Sequence, residues 1–118
     1  MAEQPALPPP PRGYLAIQER FPEVTAAYEA LQQSTASCGP LSGRERELIK
    51  FGIAVGAGLE TSARAHARKA HALGVTRAEL EQAAMLAAST AGWSRAVMAL
   101  GWVDRALAPR EQREPAAD

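Results

Sequence analysis

Apolar positions recur at helical spacing through most of this chain, and nowhere in an alternating two-residue pattern. Val24, Tyr28 and Leu31 fall along one side of a helix that Pro22 suits as a first-turn residue. Tyr14 and Ile17 predict a short helix just ahead of it. The small residues of STASCGPLSG, 34–43, predict a loop. Ser42 with Glu45 has the spacing of a capping box and opens a third helix. There Leu48, Phe51 and Val55 share a face, with Ile49, Ile53 and Gly56 beside them. A helix apolar around most of its circumference is expected at the centre of the fold and buried. Gly56 and Gly58 end it. A fourth helix is expected from about Leu59 to Leu73, with Gly74 in the left-handed position that stops it. Thr76 and Glu79 repeat the capping box for a fifth helix, which carries Leu80, Ala84 and Leu86 and reaches Ala91. Beyond Gly92 a last helix runs from Trp93 to about Leu107 and stops before Pro109. The expected fold class is all-α.

The ends differ from the middle. Pro8 to Pro11 remove backbone donors and hold the chain extended, so residues 1–12 are expected to be a flexible arm, disordered or laid over a neighbouring subunit. Residues 13–108 make a single helical domain, and 109–118, lacking an apolar stripe, a flexible tail.

Composition adjusts this picture in one respect. Hydrophobic residues make up 47% of the 118 positions, but aromatics only 5%, and much of the apolar content is alanine. Alanine helices bury little area each, so a lone chain has a thin core and a homo-oligomer is expected. Thirteen basic residues balance thirteen acidic ones, which leaves no electrostatic footprint for nucleic acid. The single cysteine, Cys38, excludes an internal disulfide and a thiolate-built metal site. No apolar run reaches the roughly 20 residues of a membrane span, and the N-terminus lacks a signal-peptide pattern, so the expected location is cytoplasmic.

The chemistry concentrates in GAGLETSARAHARKAH, residues 56–71. Together with its flanks, GRERELIKFGIAVGAGLETSARAHARKAHALGVTRAELEQAAMLAAST, this stretch resembles the carboxymuconolactone decarboxylase family, which includes alkyl hydroperoxidase D-like proteins. The resemblance spans about Leu41 to Leu107. It implies an alkyl hydroperoxidase D-like helical bundle assembled as a trimer or hexamer, with pockets between subunits. The redox branch carries a glutamate, a Cys-x-x-Cys pair and a histidine three residues beyond the second cysteine. Counted back from Gly74, the histidine falls on His66 and the glutamate on Glu47, and Glu60 also matches a common family residue. The two cysteine positions hold Leu59 and Ser62. Peroxide reduction needs a nucleophilic thiolate and a resolving thiol, so an antioxidant thiol peroxidase is disfavoured.

The decarboxylase branch of the family also lacks the cysteine pair, so the resemblance implies acid–base chemistry of that type on a small carboxylate or lactone, with no cofactor. His66 is the candidate acid and Glu47 its orienting partner. Ser62, one turn before His66, can share its face, although a serine within a helix also bonds readily to its own backbone. Arg44, Arg64 and Arg95 are candidate carboxylate anchors, because guanidinium grips a carboxylate bidentately. Trp93 and Trp102 point to opposite faces of the last helix, one into the subunit and one outward, and Trp93 is a candidate pocket wall. His71 lies about 140° around the helix from His66, which leaves it at the surface or at the helix end and argues against a metal site. Gly52 and Gly56 predict a close helix crossing. The competing reading is a non-catalytic member that binds a small ligand or supports assembly.

Overall fold

The structure, a computed structural model, describes residues 12–109 and is helical throughout, as the apolar spacing predicts. The arm and tail expectations lie outside the described residues, except that Arg12 already begins the first helix and Pro109 follows the last. Six helices follow one another: α1 Arg12–Arg20, α2 Pro22–Ser37, α3 Gly43–Ala57, α4 Glu60–Ala72, α5 Arg77–Thr90 and α6 Trp93–Leu107. They divide into two compact units, one holding α1 and α2, the other α3 to α6.

In the first unit α1 folds back along α2, pinned where the Tyr14 hydroxyl donates to Glu29 Oε1 at 2.7 Å. Pro22 begins α2 at the position where its missing N–H costs nothing. The residues 34–43 do not form the expected loop throughout, since α2 runs on to Ser37. Thr35 and Ser37 turn their hydroxyls onto the carbonyls of Gln32 and Gln33, so these small polar residues are accommodated inside the helix. Among the described residues of this unit only Thr25 is buried, and the stripe of Val24, Tyr28 and Leu31 stays exposed.

In the second unit α3 packs chiefly on α4, and α5 on α6, while α4 also meets α6 and α3 meets α5. The core is Phe51 and Val55 from α3, Val75, Leu80 from α5, and Trp102 and Val103 from α6, with alanines filling the rest. Nine of its fifteen residues are alanine, including the whole buried face of α4 at Ala63, Ala67 and Ala70. A buried Phe or Leu contributes about 2–3 kcal/mol against roughly 0.8 for one carbon group, so the core is thin for its length.

The expectation of a wholly buried α3 is not met. Phe51, Ala54 and Val55 are buried, but Ile49 and Ile53 are exposed, Ile53 by 65%. An apolar circumference does not by itself supply neighbours on every side, and α4 and α5 cover only part of it. Gly52 and Gly56 face an open groove about 320 Å³ in volume, lined also by Ile49, Ala83, Leu86 and Ala87. Nothing approaches within 4 Å of where their Cβ atoms would stand, so the expected close crossing is absent among the described residues.

The helix ends follow local chemistry. Thr76 and Glu79 form the reciprocal capping box at the start of α5. Gly74, at φ +97°, closes α4: its N–H reaches His71 O, and Val75 N–H reaches Ala70 O. Gly58, at φ +76°, repeats that motif after α3, with Leu59 N–H on Ala54 O at 2.9 Å. This second reversal turns the chain from α3 directly into α4 and brings the two chemistry-bearing helices side by side.

Candidate active site

Glu47 sits one turn into α3 and His66 in the middle of α4. The α3–α4 reversal at Gly58 sets them facing, with His66 Nδ1 2.6 Å from Glu47 Oε2. Both side chains are largely covered, at 18% and 16% exposure. Burial works against ionisation of Glu47. The hydrogen bond from His66, the charge of that ring when protonated, and the ammonium groups of Lys50 and Lys69 more than offset it, holding the carboxyl below the usual range. An ionised carboxylate only accepts, so Nδ1 carries the proton and donates it to Oε2. Nε2 then remains as the ring nitrogen open to a guest. It has no hydrogen-bond partner among the described residues.

His66 also forms part of the wall of a cleft of about 140 Å³, together with Lys50, Ile53, Ala54, Leu59 and Ser62. Leu59 and Ser62 are the two positions at which the family resemblance implies sulfur. They flank the cleft with a hydrocarbon and a hydroxyl. Ser62 makes no hydrogen bond with another described residue, not even with its own helix backbone, so its hydroxyl is available to a ligand. The site therefore brings together an imidazole, its carboxylate partner, a hydroxyl and a short apolar wall.

The other candidate residues lie apart from this cleft. Arg44 pairs with Glu79 and ties the start of α3 to the start of α5. Arg64 bonds Glu60 at 3.2 Å, one turn before it on α4, and Glu60 also receives Arg105 of α6 at 2.7 Å. Arg95 lays its guanidinium on the last carbonyls of α3, at 2.8 Å from Gly56 O, where a cation satisfies orphan acceptors at the negative end of the helix. Trp93 is 66% exposed and lines neither cavity, whereas Trp102 is buried at 2%. His71 Nδ1 meets the Val75 carbonyl at 2.9 Å, just past the end of its helix.

The residue that sequence reasoning passed over is Lys50. It follows Glu47 by three residues, a spacing that reads as an ordinary surface pair on a charged helix turn. The signal that could have found it is positional: one turn beyond Glu47, it lies on the same face as the glutamate.

No helix among the described residues is long and apolar enough to cross a membrane. No curated protein and no solved structure matches the chain. The sequence profile of the carboxymuconolactone decarboxylase family matches residues 22–105, from the start of α2 into α6, and the chain belongs to that family.

Proposed function

We propose that the protein performs acid–base chemistry of the decarboxylase type on a small carboxylate- or lactone-bearing compound, with His66 as general acid and Glu47 as its orienting partner. The observation that carries this reading is the 2.6 Å contact between Nδ1 and Glu47 at the wall of an open cleft. In such a reaction the bond between the ligand's carbon and its carboxylate breaks and carbon dioxide leaves. The electron pair stays on the ligand as an enolate, and Nε2–H of the His66 imidazolium protonates the carbon. Glu47 supports the positive ring before transfer, and water restores the proton afterwards. Ser62, one turn earlier, can donate its hydroxyl to the enolate oxygen.

The test is carbon dioxide release and deuterium incorporation from a panel of small lactone acids, with wild type and His66→Ala compared. A general acid contributes about 10²- to 10⁴-fold, so the variant should lose at least about a hundredfold. Equal rates would remove His66 from the mechanism, and saturable binding without turnover would make the protein a ligand binder instead.

The same reading includes assembly of several copies, as a trimer or hexamer. It is supported by the thin alanine core and by large apolar side chains left exposed on α3, α5 and α6, among them Ile53, Leu86, Trp93 and Val97. Sedimentation at micromolar concentration should give a mass several times that of one chain, and a monomer would contradict it.

A further inference from the structure

Among the described residues that line the cleft, Lys50 is the one lysine or arginine, and the proton transfer described above makes no use of it. We propose that the Lys50 ammonium holds the anionic end of the ligand, so that the cleft selects a small monoanion whose apolar body is about the size of a six-membered ring. The inference rests on reading the cleft as the ligand site of the His66–Glu47 pair.

Three observations lead to it. First, Lys50 Nζ stands 4.0 Å from Glu47 Oε1, beyond hydrogen-bond distance, while the other carboxylate oxygen is taken by His66. Lys50 makes no hydrogen bond with another described residue, so its donors are free to turn to a guest. Its side chain is 35% exposed and forms part of the cleft wall, so the charge is neither sealed in nor fully in bulk water. Second, the arginines that would compete for this duty are held elsewhere. Recruiting Arg44 would strip Glu79, recruiting Arg64 would weaken the Glu60 hub, and recruiting Arg95 would uncover the end of α3. Lys50 forgoes only a screened attraction. Third, a carboxylate brought close to ionised Glu47 is repelled unless a cation stands beside both, and Lys50 occupies that place.

Size follows from the walls. Ile53, Ala54 and Leu59 form the apolar part of the wall of this open cleft of about 140 Å³. An apolar cavity of about 150 Å³ in another protein takes up benzene, so a ring of that size fits here with its charged substituent at the mouth.

Benzoate and benzamide share that ring and differ in charge. Calorimetric titration of the full chain should show benzoate binding about tenfold more tightly than benzamide, the scale of one charge-assisted hydrogen bond at a partly exposed site. The preference should vanish in Lys50→Met, survive largely in Lys50→Arg, and survive intact in Arg64→Met, with helical circular dichroism unchanged in each. Equal affinity for the two probes, no saturable binding of benzoate by wild type, or a preference that persists in Lys50→Met would each overturn the assignment. The outcome is separable from that of the acid–base reading. A charge preference lost in Lys50→Met, in a wild type that releases no carbon dioxide and exchanges no deuterium, keeps the anion site and removes the chemistry. Turnover that needs His66 but shows no dependence on Lys50 or on ligand charge does the reverse.

Discussion

Glu47 Oε2 and His66 Nδ1 lie 2.6 Å apart across the α3–α4 reversal, and neither side chain makes a second hydrogen bond among the described residues. The pair is therefore a unit whose halves can be changed separately. Glu47→Gln keeps an oxygen to accept from Nδ1 but removes the charge that supports an imidazolium. Turnover should fall by about tenfold, the scale of losing one hydrogen bond to a charged group. Unchanged turnover in this variant would show that the ring does not depend on the carboxylate's charge.

The same carboxylate makes stability depend on pH. Its folded value lies below its ordinary one, so its contribution is complete above the ordinary carboxylate range and is lost as pH falls through the lower folded value. Denaturant midpoints of wild type and Glu47→Gln, compared from about pH 6 down to about pH 3, should converge on acidification. A gap that widens toward acid would contradict the depressed value.

Two glycines should respond in opposite directions. Gly58 holds φ +76°, and a Cβ there would come within 2.5 Å of Arg95 Nη1, which caps α3. Gly58→Ala should cost about 2 kcal/mol through the left-handed backbone and the displaced guanidinium. Gly52, inside α3, has nothing within 4 Å of its Cβ position. Gly52→Ala should stabilise by about 0.5–1 kcal/mol, read as a higher Tm. A lower Tm would mean that a neighbouring molecule packs into the α3–α5 groove.

Peroxide chemistry gives a negative prediction. The one thiol, Cys38, is exposed at the end of α2, with Sγ 3.2 Å from the Thr35 carbonyl and no second cysteine in the chain to resolve an oxidised sulfur. Peroxide consumption with a dithiol reductant should stay at background. Turnover abolished by Cys38→Ser would overturn this.

How much of this was legible in the sequence depended on the kind of signal. The bounds of α6 were readable because Gly92 and Pro109 punctuate it, and the α5 start because Thr76 and Glu79 cap each other. The end of α2 is not legible, since serine and threonine mark loops in sequence yet bond back to a helix as easily as they break one. Glu47 and His66 were found through the family spacing. Lys50 is not marked in this way: arginines draw attention by their bidentate geometry, but which charge meets which partner is decided by packing. Glu79, Glu60 and the end of α3 claim those guanidinium groups before any ligand arrives.

The alanine seam of α4 has a consequence for how this protein can vary. Ser62 and His66 each precede a buried alanine, Ala63 and Ala67, so the reactive edge and the packing seam are adjacent ridges of one cylinder. A methyl-deep seam leaves no slack. Thickening it with valine or leucine, the usual route to a sturdier bundle, would lever the imidazole away from its carboxylate, so in this chain a thicker core and the His66–Glu47 contact compete for the same few cubic ångströms.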